Sequence, residues 1–311
     1  MDVQAAAPKK HMSLSKREAI WAYLLIGPWI VGFILFTLGP MIASLIFSFM
    51  DYSVVADSKF IGIANYIELF IKDYRFWHSL KITLTYALFA IPSGLVLGLL
   101  LALLLNTKVP GIAAWRTIFY TPSVVSGVAV AVLWSYLFNP RFGVINWLLG
   151  LMGVPMSSQP GWLSTPDWAL AALIIMSLWG VGGGMIIYLA GLQGIPTSLY
   201  EAAEIDGANK IQSFFNITLP MITPVLFYNL IIGIISTFQI FTQAYVMTQG
   251  GPAEATLFYN LYLYNNAFRY HRLGYASALA WVLFLVVLVL TLIVFRSSAM
   301  WVYYEGELRK K

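Results

Sequence analysis

The chain has 311 residues, of which 60% are hydrophobic and 10% charged, with a formal net charge of +5 and no cysteine. An ordinary soluble domain is about 25% charged, so this composition excludes a soluble globule and points to repeated passage through a bilayer. The missing cysteines exclude disulfides and thiolate metal sites, and the basic residues form short runs beside apolar segments, which suits topology-setting cations and not nucleic-acid binding.

About 20 apolar residues cross a bilayer as a helix, and six runs reach that length. Residues 1–18 read as a cytoplasmic tail carrying Lys9, Lys10, Lys16 and Arg17. No cleavable signal peptide is expected, because the first apolar run is long and lacks an A-x-A-like end. Span one lies in residues 19–50, with Pro28 and Pro40 expected to kink it or mark its ends. A polar loop follows over 51–81, in which Tyr66 to Phe70 and Phe76-Trp77 suggest short interfacial helices. Span two is expected over 82–105, a connection with Lys108 and Arg116 over 106–116, and span three within 117–139. In the next connection, residues 146–152 read as an amphipathic helix lying on the membrane surface. Span four is expected over 168–192, span five from Pro220 to about Thr248, and span six over 273–295.

The expected fold is therefore an all-α integral membrane protein of six transmembrane helices, with one transmembrane domain over 19–297 and a C-terminal tail over 298–311. Six spans put both termini on one side. That side holds 11 of the 18 Lys and Arg residues and the other 7, which supports cytoplasmic termini.

All 13 carboxylates and all 18 Lys and Arg residues fall outside these six runs. Ion-coupled carriers use intramembrane ionisable groups or broken helices with exposed carbonyls, and neither is evident. No Gly-Lys dipeptide occurs, hence no Walker-type phosphate loop. His11, His78 and His271 stand far apart, and there is no G-x-S-x-G elbow. No catalytic or metal-ligating set is expected, so the chain is not read as an enzyme. Energy for any transport must arrive through a contact.

One stretch suits such a contact: YEAAEIDGANKIQSFFNITL over 200–219, followed by Pro220 and flanked by apolar runs. Ser198 and Glu201 are spaced as a capping box, and Gly207 can take the left-handed conformation that ends a helix. The expected product is a bent helical knob with Glu201, Glu204 and Asp206 on it. It exposes Leu199, Ala202, Ala203 and Ile205 beside Ile211, Phe214 and Phe215, more apolar surface than a solvated loop carries.

EAA, then DGA, an aromatic, and I-x-L-P resemble the signature loop of the membrane subunits of bacterial ATP-binding-cassette importers. The version here is similar to carbohydrate permeases of the maltose and glycerol-phosphate type. WRTIFYTPSVVSG, WSYLFNPRFGVINWLL and TQGGP are similar to the same permeases, and the resemblance covers nearly everything after residue 18. It implies a coupling loop over 193–219 whose Tyr200, Glu201, Ala202, Ala203, Asp206, Gly207 and Ala208 seat in a cleft of a cytoplasmic ATPase. It also implies a second related permease, two ATPase subunits that hold the ATP and Mg, an extracytoplasmic sugar-binding protein and residence in the bacterial inner membrane. No cofactor is expected in this chain.

Two polar stripes bear on the substrate. In span five Asn229, Ser236 and Gln243 recur every seven residues with Gln239 on the same side. Such a stripe reads equally as a substrate-lining face or as interhelical hydrogen-bond glue. In span four Ser177, Gly180, Gly184 and Tyr188 share a stripe, and Gly182, Gly183 and Gly184 admit a close neighbour, which by itself favours helix packing. The resemblance favours sugar contacts at Trp179, Gly180 and Gly183 and at Thr237, Gln239, Gln243 and Tyr245. Trp134 and Tyr136 read as interfacial belt residues or as part of the same cavity. The alternatives are a peptide or amino-acid permease of the same importer class, an ion-coupled sugar carrier, and a membrane scaffold.

Overall fold

The computed structural model describes residues 13–53 and 57–303. The other residues, which hold most of both tails, lie outside the described residues. Nearly everything is helical. Four helical stretches are long and apolar enough to cross a membrane: Leu14–Phe47, Tyr74–Leu105, Lys210–Met247 and Leu273–Trp301. Two bent pairs bring the number to six if each pair is one span.

The first stretch comprises α1 (Leu14–Phe33), a wide π-turn (Ile34–Leu38) and α2 (Gly39–Phe47). Neither proline ends it. Pro40 cannot donate to the turn before it, and the i→i+5 bond from the Gly39 N–H to the Ile34 carbonyl widens the helix at that point. A two-strand ladder, β1 (Met50–Asp51) with β2 (Lys59–Phe60), pairs Met50 with Phe60. Then come α3 (Ala64–Ile67) and a π-turn (Glu68–Lys72), where the Tyr66 interfacial helix was expected.

Phe76-Trp77 is no separate interfacial helix. Both belong to the first turn of α4 (Tyr74–Leu105), which starts eight residues before the expected span because the Asp73 carboxylate caps it, accepting from the Arg75 N–H at 2.9 Å and the Phe76 N–H at 3.2 Å. At the other end the Arg116 guanidinium donates to the Leu105 carbonyl at 2.8 Å, satisfying a last-turn acceptor with a cation.

Span three is not one straight helix. α5 (Ile112–Val124) and α6 (Gly127–Leu137) meet at 97°. Pro122 removes a donor, and Val125 and Ser126 are extended with ψ of 139° and 133°. α7 (Val144–Leu151) occupies the expected surface-helix segment. Its Trp147, Leu148 and Leu151 are exposed, while Asn146 is buried, accepting from Trp162 Nε1 at 2.6 Å. α8 (Pro166–Leu178) and α9 (Gly182–Gln193) form the second bent pair, at 43°. A Cβ on Gly182 would stand 2.0 Å from the Phe119 carbonyl oxygen. The glycine run therefore lets α5 lie directly on α9, the packing explanation for that position.

After α10 (Thr197–Ile205) the chain makes α11 (Lys210–Ser213), a π-turn (Phe214–Thr218), α12 (Leu219–Phe238), a break at 239–241, and α13 (Thr242–Met247). α14 (Tyr259–Tyr264) and a π-turn (Asn265–Arg269) lead to α15 (Leu273–Trp301), which outruns the expected span at its C-terminal end. The three interruptions overturn the expectation that no broken helices occur. α4 is the hub, packed on α8, α9 and α12, with Gly98 admitting the Tyr188 ring.

Candidate functional site

Midway along these helices lies a cavity of about 470 Å³. α12 gives it Asn229, Gly233, Ser236 and Thr237; the break and α13 give it Gln239, Ile240, Phe241, Thr242 and Gln243. The α8–α9 bend adds Ser177, Gly180 and Gly184, and α4 adds Tyr86, Ala90 and Gly94, spaced four residues apart on one face. No charged side chain lines it. Asn229 donates to the Val225 carbonyl at 2.9 Å, Ser236 to Gly233 at 3.1 Å and Ser177 to Ile174 at 2.6 Å. The Ser236 and Ser177 hydroxyl hydrogens and one of the two Asn229 amide hydrogens are thus used within their own helices, which leaves the side-chain oxygens as acceptors and the second Asn229 N–H as a donor.

Of the residues expected on a substrate path, Gly180, Asn229, Thr237, Gln239 and Gln243 come together here. Trp179, Gly183 and Tyr245 do not. The Trp179 ring meets Trp134 edge-on at 6.2 Å, a Gly183 Cβ would face Ser123, and Tyr245 stacks on Phe241 at 5.2 Å. The seven-residue spacing does not by itself place Gln243, because α12 stops at Phe238; the break turns the chain so that Gln243 still faces inward. Likewise the bend at 179–181 takes Tyr188 off the span-four stripe and buries it, 1% exposed, against Gly98. The α4 contribution was missed, although Tyr86, Ala90 and Gly94 form a readable i, i+4, i+8 set.

The second feature is the knob around α10. Its start differs from the expected capping box. Pro196 is the N-cap residue, Ser198 already lies inside the first turn, and no side chain caps it. The capping box lies further on: Gln212 N–H to Asn209 Oδ1 at 2.9 Å and Asn209 N–H to Gln212 Oε1 at 2.8 Å. The end of α10 is as expected. Gly207 has φ of +78°, the Ala208 N–H reaches the Ala203 carbonyl at 2.9 Å and the Gly207 N–H reaches Glu204 at 3.1 Å, which together make a Schellman closure. Glu201, Ala202, Glu204 and Asp206 are exposed, Ile205 is 87% and Ile211 70% exposed, and Ala203 and Phe214 are half-buried. Tyr200 joins its hydroxyl to Thr218 Oγ1 at 2.9 Å, pinning α10 to the base of α12.

At the opposite end of the α12–α13 segment, Asp73 gathers a polar knot that sequence reasoning missed, since its members come from distant stretches. Its Oδ2 accepts from Tyr262 at 2.6 Å and from the Tyr275 hydroxyl. Burial first, then the neighbouring Asp73 carboxylate, push the Tyr262 phenol above its ordinary range, so it stays a donor. Arg272 pairs with Glu68 at 2.7 Å and lies 4.4 Å over the Tyr275 ring. Burial works against its charge, but the Glu68 carboxylate outweighs that and holds its pKa above the usual value.

A multi-helix membrane protein with interrupted helices around an uncharged cavity, and an exposed helical knob at one end, has the architecture of a transport-path subunit. Residues 94–301 match the family of binding-protein-dependent transport system inner membrane components, and the chain belongs to that family. It is 45% identical to the probable ABC transporter permease protein YesP of Bacillus subtilis, over 97% of this chain and 98% of that one. It is 35% identical to the trehalose/maltose transport system permease protein MalF of Thermococcus litoralis, over 90% and 94% of the two chains. A chain in the crystal structure of a bacterial alginate ABC transporter, in complex with an alginate pentasaccharide-bound periplasmic protein, superposes with a TM-score of 0.81 at 28% identity, over 91% and 96% of the two chains.

Proposed function

We propose that this chain is the permease subunit of an ATP-binding-cassette importer, forming part of the path for a neutral sugar or oligosaccharide and taking its energy from separate ATPase subunits. The observation that carries the reading is the cavity: amide and hydroxyl oxygens, no charge, and walls built from two helix interruptions. Sugar hydroxyls are met by such groups, and interrupted helices are where transporters place their substrates. Relatives named for trehalose/maltose and lactose transport support the same class.

In this reading the bent pairs each count as one span, giving six, with both termini and the α10 knob in the cytoplasm. Acidic residues on the knob meet ATPase cations while Ile205 and Ile211 are desolvated at the contact. Closure of the ATPases displaces α10, the Tyr200–Thr218 bond passes the displacement to α12, and α12 carries Asn229 and Thr237 with it. Opening of the cavity thus changes sides by a rigid-body shift. A second homologous permease completes the path, and a sugar-loaded extracytoplasmic protein delivers to the outer end, as the periplasmic protein in the alginate transporter complex suggests. ATP and Mg belong to the partner ATPases.

The test is reconstitution of the whole assembly in vesicles, with uptake of maltose, trehalose and lactose measured with and without ATP. Uptake that needs ATP, the ATPases and the binding protein is expected. Sugar uptake by this permease without any ATPase would overturn the reading in favour of an ion-coupled carrier, and ATP hydrolysis with no uptake of any sugar would favour another substrate class.

A further inference from the structure

The break between α12 and α13 contains neither glycine nor proline; its residues are Gln239, Ile240 and Phe241. In an unbroken helix the Gln239 carbonyl would accept from the Gln243 N–H, four residues on. Instead it accepts from the side-chain amide of Asn260 at 3.1 Å. Asn260 lies on α14, and Tyr264, one turn further along the same face, packs its ring on Phe241 at 4.8 Å and on Tyr245 at 5.5 Å. That face of α14 covers the break.

The rest of α14 is fixed to the bundle. The Tyr259 N–H donates to Thr83 Oγ1 of α4 at 2.9 Å, the Tyr259 hydroxyl to the Leu279 carbonyl of α15 at 2.8 Å, and Tyr262 to Asp73. α14 is therefore a strut between two long helices and the interruption that turns Gln239 and Gln243 into the cavity.

We infer that Asn260 is a positioning residue for the transport path: by taking the Gln239 carbonyl it competes with the Gln243 N–H and holds span five broken. Losing that donor lets the helix close through 239–243 and turns Gln243 relative to the cavity. The inference rests on the proposed sugar path and names an element that regulates it.

Because the chain has no cysteine, single thiols report position cleanly. In the assembled transporter in membrane vesicles, Gln243→Cys and, on the facing wall, Ser177→Cys are each labelled with a membrane-impermeant methanethiosulfonate. Each is combined with Asn260→Asp, which keeps the shape but cannot donate when ionised, or with Asn260→Gln, which keeps the donor. One net hydrogen bond shifts such an equilibrium by about fivefold. The expected result is an about fivefold change in labelling rate at position 243 with Asn260→Asp, no change at 177, and recovery to within about twofold with Asn260→Gln. Unchanged rates at 243, equal effects at both positions, or Asn260→Gln behaving like Asn260→Asp would each overturn the positioning role. Thiols at 177 and 243 that never react would instead overturn the aqueous path itself, and the inference with it.

Discussion

Gly207 offers a graded perturbation of the α10 knob and of the coupling role proposed for it. Its φ is +78°, and no heavy atom lies within 4 Å of where a Cβ would stand, so substitution strains the backbone without any clash. A left-handed alanine costs about 1–2 kcal/mol and a β-branched residue more, whereas asparagine tolerates the conformation. If the strain is relieved by opening the turn, the bonds from Ala208 to Ala203 and from Gly207 to Glu204 go with it, at about 1 kcal/mol each. A loss of about 2 kcal/mol is small beside the stability of a folded domain but shifts a local equilibrium by more than tenfold. The assay is sugar moved per ATP hydrolysed in the reconstituted complex, with the amount of subunit in the membrane measured alongside. Coupling is expected to fall in the order Gly, Asn, Ala, Val, with the valine variant down about tenfold and all four equally abundant. Equal coupling by Gly207→Val and the unaltered chain would refute the lever, as would a loss of transport that merely follows a loss of protein.

Gln239→Ala removes a cavity amide and is expected to lower sugar-stimulated ATP hydrolysis while leaving basal hydrolysis within about twofold; equal losses in both rates would remove the case for a sugar contact. Gly182→Ala drives a Cβ to 2.0 Å from the Phe119 carbonyl, whereas the nearest atom to a Gly180 Cβ is 3.6 Å away. The first should abolish assembly of the folded subunit on size-exclusion chromatography, and the second should leave assembly intact and alter transport alone. Asp73→Ala removes the α4 cap and the acceptor of two tyrosines, with an expected cost of about 2 kcal/mol or more. Glu68→Gln breaks only a half-exposed ion pair with Arg272, worth about 1 kcal/mol or less; thermal unfolding in detergent should rank the two in that order.

What could be read from the sequence was what depends on neighbours along the chain. Asp206-Gly207 ends α10 as expected because a Schellman closure involves six consecutive residues. The face carrying Asn229 and Ser236 was legible from helical period alone, whereas Thr237 came only from the resemblance. That period says nothing beyond Phe238, where the interruption is held by Asn260, more than 20 residues later. The corner at Val125 had local signs in Pro122, Ser126 and Gly127, but hydropathy runs through it unbroken and hid it. Ser198 to Glu201 carried the spacing of a capping box, yet Pro196 already ends the preceding segment and places Ser198 within the helix. Asp73 is the opposite case: a cap visible in the sequence, passed over because a count of apolar residues stops at Lys81.

The central claim is that energy enters through the α10 knob. Ile205, 87% exposed at its tip, replaced by the chain's single cysteine, tests it directly by its rate of alkylation with and without the ATPase subunits. Protection of about tenfold or more on assembly, changing again when ATP binds, is the predicted result. A thiol at 205 that reacts equally fast in the free subunit and in the transport-competent complex would contradict the account.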